Sequence, residues 1–213
     1  MDKISFDASH LHYIEQYAGD DHTIWNTTTG IVSRIRSAIR THYKDQQGYR
    51  CCYCRQQTLQ DHGFVWDCEH ILPKAIYPQF LFEPYNLALS CRECNIAKEK
   101  FKNQLITEDN EDYCCDGNKY RIIHPHFDIY SEHLNLEELD GTKIYKIITE
   151  SKGAFTYKCC GLQRFDKKLV GRSHISTDLS KTCEELLKSG VNPEDIIAGF
   201  IQKTIAIQHG TDF

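Results

Sequence analysis

Two short cysteine pairs, Cys51-Cys52-Tyr53-Cys54 and Cys91-Arg92-Glu93-Cys94, each leave a two-residue spacer between a first and a last cysteine. That spacer lets a tight knuckle aim both sulfurs at one ion, and two knuckles supply the thiolate tetrahedron that zinc prefers. Cys51, Cys54, Cys91 and Cys94 are therefore the expected zinc ligands, in a structural site with no open position. Cys52 stands too close to Cys54 for the usual knuckle. A thioredoxin-like redox pair would need a strand–helix–strand context that is missing here.

Between the pairs lies Glu69-His70, followed by Ile71-Leu72-Pro73, and directly after the last cysteine comes Asn95. A zinc clamp draws these two places together. A carboxylate and an amide oxygen are hard ligands suited to Mg²⁺ or Mn²⁺. A histidine not needed for the metal can serve as a general base. One hard cation, one base and the positive start of a helix suit hydrolysis of a phosphodiester. An isolated histidine is more often a hydrogen-bonded core residue; the flanking Glu69, the proline exit and the matched cysteine pairs favour the catalytic reading.

The elements that must position these residues follow from the local pattern. Residues 64–68, FVWDC, alternate as a strand does, residues 87–91, LALSC, form a second, and RECNIAKEKFKN reads as a helix. Upstream, ASHLHYIEQYAG places Leu11, Ile14 and Ala18 on one helical face. IVSRIRSAIRTHYK repeats Ile31, Ile35 and Ile39 at helical spacing, with Arg34, Arg36, Arg40 and Lys44 on its other faces. Those cations read as a solvated surface, or as phosphate contacts beside an active site. Downstream, residues 108–116 form an acidic, exposed loop, and KIYKIITE and AFTYKCC are two β-rich runs joined by SKG as a hairpin. Two helices are expected to close the chain, one carrying Leu179, Cys183, Leu186 and Leu187, the other capped by Asn192 and Pro193.

The whole pattern, Cys51-x-x-Cys54, Glu69-His70-Ile-Leu-Pro73, Asn86-Leu87 and Cys91-x-x-Cys94-Asn95-x-x-Lys98, resembles the zinc-knuckle branch of the HNH endonucleases. The resemblance covers about a quarter of the chain. It implies an α+β fold: a ββα-metal core with a structural four-cysteine knuckle, flanked by N-terminal helices and a C-terminal hairpin plus helices. The implied segments are 1–48 (helical), 49–105 (nuclease module) and 106–213 (an α+β extension for docking a partner or substrate). By the same resemblance His70 activates water, Glu69 and Asn95 hold the divalent cation, and Asn86 braces the loop between the strands. Glu69 stands where aspartate or histidine is commoner, and Asn95 where a final histidine often sits; both keep an oxygen donor. Lys98 reads equally as a phosphate contact or a solvated lysine. The stretches around His70 and Asn95, with IIHPHFDIYSEHL and CGLQRFDKKLVGRSHI, also resemble the HNH subunits of Septu and retron-associated anti-phage systems, which work beside an ATPase subunit. His124, His126 and Asp128 belong to a loop that either approaches the active site or, the favoured reading, simply folds over the hairpin.

Composition agrees with such an effector. The 213-residue chain is 40% hydrophobic, enough to bury a core without disulfides. It has no apolar run long enough for a bilayer and no signal-like start, so a cytoplasmic location is expected, with the remaining cysteines as small buried hydrophobes or incidental surface thiols. The net charge is −5. Residues 103–150 carry eleven acidic against four basic side chains, whereas residues 50–102 carry seven basic against six acidic. Affinity for a polyanion comes largely from counterion release on phosphate contact. Autonomous DNA binding is therefore expected to be weak, with recruitment by a basic or ATP-driven partner. The competing reading is a non-catalytic zinc module that docks nucleic acid or a protein, which leaves Glu69, His70 and Asn95 without a role.

Overall fold

The computed structural model describes residues 1–60, 65–108, 111–139, 142–165 and 185–195. The chain divides into two compact units, Met1–Phe165 and Asp166–Phe213. The expected helical run through Leu179 and Cys183, and most of the one after Pro193, lie outside the described residues. Among the described residues, no helix is long and apolar enough to cross a membrane.

The first unit is α+β. Val32, Ile35, Ile39 and Tyr43 recur every three or four residues and form the buried stripe of helix α2, Gly30–Gln46. The shorter α1, Ala8–Glu15, is capped by Asp7, whose side chain accepts from the His10 amide at 2.9 Å. The buried residue of α1 is His10, while Leu11 is 43% exposed, so the face expected to pack is rotated by one residue.

Strand β1, Trp66–His70, pairs antiparallel with β2, Leu87–Cys91, and sets His70 opposite Leu87 and Trp66 opposite Cys91. Helix α3, Arg92–Glu99, follows β2 without a linker. This is the strand–long connection–strand–helix order expected from the sequence. The connection turns through two short 3₁₀ segments, Pro78–Phe80 and Pro84–Asn86, each opened by a proline whose missing N–H costs nothing there. Fully buried Asn86 spans the connection: its Oδ1 accepts from the Leu72 amide at 2.7 Å, and its Nδ2 donates to the carbonyls of Leu72 and Phe80, each at 3.1 Å. On the other side of β2, the Gln47 side chain mimics a peptide group. Its Oε1 accepts from the Leu89 amide and its Nε2 donates to the Leu89 carbonyl, both at 2.8 Å.

The C-terminal hairpin is shifted from its expected place. Strand β3, Leu134–Leu139, pairs with β4, Thr142–Ile147, so KIYKI is the second strand of the pair. The AFTYKCC run is not a strand but part of helix α4, Lys152–Cys159. Its buried residues Lys152, Gly153, Thr156 and Cys159 have helical spacing, and packing of that face outweighs the strand preference of Phe, Thr and Tyr. Gly153 is required for the approach, since a Cβ there would stand 2.2 Å from the His133 carbonyl oxygen. Gly161 then ends the helix in the left-handed region, at φ 62°.

Replacing Asn86 by Ala leaves three buried backbone groups without their partners, each costing about 1–3 kcal/mol when left unpaired. A loss of several kcal/mol in denaturant unfolding is expected, with the zinc content unchanged.

Candidate active site and metal centre

The Sγ atoms of Cys51, Cys54, Cys91 and Cys94 all lie within 4.8 Å of one another, and those of Cys54 and Cys91 are 3.7 Å apart. Thiolates held about 2.3 Å from a zinc ion at tetrahedral angles are spaced roughly 3.8 Å apart, so the cluster fits zinc. The first knuckle closes through the Arg55 amide donating to the Cys51 carbonyl at 3.0 Å, and Arg55 itself takes φ 54° to leave the turn. Of the remaining cysteines, Cys52, Cys159 and Cys160 are buried small side chains, Cys68 and Cys114 are half-buried, and Cys115 is an exposed thiol.

The sequence gives no local sign of Arg164, yet it completes this centre. Gly161 turns the chain back, and the guanidinium donates to the carbonyls of Cys160 and Gly161 while Nη2 lies 3.2 Å from Cys94 Sγ and 3.8 Å from Cys91 Sγ. Four thiolates around a divalent ion leave an excess of negative charge, and a guanidinium at this distance offsets part of it.

The second feature is an open pocket of about 630 Å³ along the edge of β1 that faces away from β2. Helix α2 presents Arg36 and Arg40 to it, and α3 presents Arg92 and Asn95. With Lys74 and Lys98, the cations of the lining outnumber its two carboxylates, Asp67 and Glu99. Of the four α2 cations, it is therefore Arg36 and Arg40 that flank the candidate site.

His70 lines this pocket. Its Nε2 lies 3.1 Å from the Leu81 carbonyl, and its ring meets Trp25 edge-on at 4.4 Å. A carbonyl can only accept, so Nε2 carries the proton and Nδ1 keeps the lone pair. Burial holds the pKa of His70 down to about 3, so the ring is neutral near pH 7. Trp25 is itself fixed by Arg36, which donates to the carbonyls of Trp25 and Thr27.

Glu69, adjacent in sequence, faces elsewhere. It is 1% exposed and sits under α3, where Oε1 accepts from the Tyr53 hydroxyl at 2.9 Å and Oε2 from the Ser90 hydroxyl at 3.2 Å. Oε1 also pairs with the Lys98 ammonium. Burial pushes its pKa up, opposed by Lys98 and the two hydroxyls. Lys98 donates in addition to the carbonyls of His70 and Ile71, at 2.7 and 3.0 Å, so it is a buried strut and not a solvated lysine. The side chain that meets Asn95 is Asp67: Asn95 Nδ2 donates to Asp67 Oδ2 at 2.9 Å. Asp67 and Glu69 share one face of β1, so the two-residue period of the strand was the available signal for Asp67. A carboxylate and an amide oxygen beside a neutral imidazole suit a hard divalent cation, so the donor chemistry of the pocket fits Mg²⁺ or Mn²⁺.

The loop carrying His124, His126 and Asp128 folds over the hairpin, away from this pocket. His126 Nε2 lies 2.8 Å from the Leu87 carbonyl, His124 stacks on Phe127, and Asp128 pairs with Lys152 at 2.8 Å.

Two outcomes follow from these environments. Arg164→Ala is expected to speed zinc loss to a chelator by about tenfold, the usual scale for partners of metal ligands, read with a zinc dye. His70 and His124 are buried and His126 is half-buried, and all three have lowered pKa values. Below about pH 6.5 an unfolded chain takes up protons that these rings refuse, so stability is full above that pH and falls toward pH 3. His70→Gln should lessen that acid-side slope in denaturant titrations at several pH values.

No protein-family model matches the chain, and no solved structure matches it. Over 145 residues, or 67% of its length, it is 28% identical to the Septu protein PtuB of Bacillus thuringiensis, covering 48% of that protein. Over 92 residues, or 42% of its length, it is 34% identical to protein ea31 of Escherichia phage lambda, covering 26% of that protein. The chain thus spans about half the length of the first of these relatives and about a quarter of the second.

Proposed function

We propose that the chain is a metal-dependent endonuclease of the HNH type that hydrolyses phosphodiester bonds of nucleic acid, with DNA as the expected substrate, and that it acts as the effector of an anti-phage defence complex. The observation that carries this reading is His70. Its ring is neutral, its tautomer is set by the Leu81 carbonyl, and it lines a cation-rich pocket together with Asn95. The sequence similarity to the Septu protein PtuB supports the defence role. The resemblance to the HNH subunits of Septu and retron-associated systems, and the excess of acidic side chains over residues 103–150, support an ATPase partner that delivers the substrate.

In this reading His70 Nδ1 accepts the proton of a water aligned opposite the departing 3′ oxygen. The Leu81 carbonyl holds the Nε2 proton and so keeps the ring in the tautomer that exposes the base. Arg36 and Arg40 meet the phosphates on one side of the β1 edge, and Arg92 meets them on the other. Asn95 and a β1 carboxylate, which the resemblance assigns to Glu69, hold the Mg²⁺ or Mn²⁺. When bound, that ion neutralises the charge that builds on the phosphate and the leaving oxygen. Asn86 keeps the His70 end of β1 in register, and the thiolate-bound zinc has a structural part only.

The test is cleavage of plasmid DNA and of RNA with Mg²⁺ or Mn²⁺, with and without the product of the neighbouring gene. His70→Ala is expected to lower the rate by about 10²–10⁴-fold while leaving the protein folded with its zinc content close to wild type. No cleavage by the wild type with any divalent ion, even beside its partner, would leave a zinc-bound docking module as the function.

A further inference from the structure

We infer that Asp67, not Glu69, is the carboxylate that joins Asn95 in holding the divalent cation, and that Glu69 serves as the buried counter-charge of Lys98. The inference rests on the nuclease reading above and specifies its cation site.

Both oxygens of Glu69 are committed. Tyr53, Ser90 and Lys98 occupy them inside the protein, and the residue is absent from the lining of the His70 pocket. Reaching a cation there would mean withdrawing the carboxylate from Lys98 and leaving an unpaired ammonium beneath α3, which is strongly unfavourable. Asp67 has no such commitment. It is half-buried, lines the pocket together with His70, and already touches Asn95. The pairing of strand and helix explains the division of labour. Residues 67 and 69 lie two apart on the β1 face that α3 covers, and Asn95 and Lys98 lie three apart on the helix face that meets it. The outer couple, Asp67 with Asn95, opens to the pocket, whereas in the inner couple Glu69 is sealed behind Lys98, which is itself buried at the pocket wall.

The experiment titrates zinc-loaded full-length protein with Mn²⁺, read by the loss of the free-ion electron paramagnetic resonance signal and by calorimetry, for wild type, Asp67→Asn, Asn95→Ala and Glu69→Gln. Asp67→Asn and Asn95→Ala are each expected to weaken Mn²⁺ at least tenfold with an unchanged melting temperature of the cation-free protein. Glu69→Gln is expected to lower the melting temperature and leave the Mn²⁺ affinity within about threefold of wild type. If Glu69→Gln does not fold, Glu69→Gln with Lys98→Met removes both charges and takes its place with the same expectation. Wild-type affinity in Asp67→Asn, with affinity lost in either Glu69 variant, overturns the assignment and leaves the nuclease reading standing. Failure of the wild type to bind Mn²⁺ or to cleave overturns both.

Discussion

Four sulfurs within 4.8 Å of one another, a set that fits a single zinc ion, join Cys51 and Cys54 to Cys91 and Cys94, and the geometry of the pocket descends from that constraint. The second knuckle is also the junction of β2 and α3, so an ion on these sulfurs would fix where the helix begins and how it lies across β1. Asn95 is the next residue after a ligand, and Tyr53 lies between two ligands while its hydroxyl holds Glu69. An error in the clamp would therefore reach both the residue that meets Asp67 and the residue that secures the buried acid. Arg164 ties the end of the first unit to the same sulfurs, which makes the centre a meeting point of three distant stretches of chain.

The charges are sorted by depth. The net charge is −5, yet the β1 edge gathers Arg36, Arg40, Lys74 and Arg92 around a ring that burial keeps neutral. A neutral imidazole is in the protonation state a base requires, and after burial itself Lys74 and the buried Lys98 are the cations that disfavour its protonation. Below this surface, the pair Glu69–Lys98 spends its charge on holding β1 to α3, with Lys98 also gripping the carbonyls of His70 and Ile71.

What could be read in advance was what is encoded locally. Ligand spacing in the cysteine pairs, the Asn86 position ahead of β2 and the Ile35/Ile39 stripe of α2 each depend on residues a few positions apart. The sequence also pointed to His70 and Asn95 as neighbours of one site, and both line one pocket. Arg164 escaped because its partner sulfur lies 70 residues away and nothing near Gly161 announces it. The roles of Asp67, Lys98 and Trp25 escaped for a related reason: whether a polar side chain on β1 or α3 is sealed or open depends on which helix covers it. The misplaced second hairpin has the same origin, since a run with strand-forming side chains became α4 once its small face could press against the His133 carbonyl.

The Gln47 side chain has a consequence beyond β2 itself. A ribbon of only two strands exposes unsatisfied main-chain groups along its outer rim, an invitation to a strand from another molecule. By answering both the amide and the carbonyl of Leu89, with the Cys52 amide as a second donor to that oxygen at 3.0 Å, Gln47 removes the point at which such a visitor would dock. A glutamine at the foot of a helix thus acts as a guard against self-association on this rim, while the pocket lined by His70 lies along the opposite one.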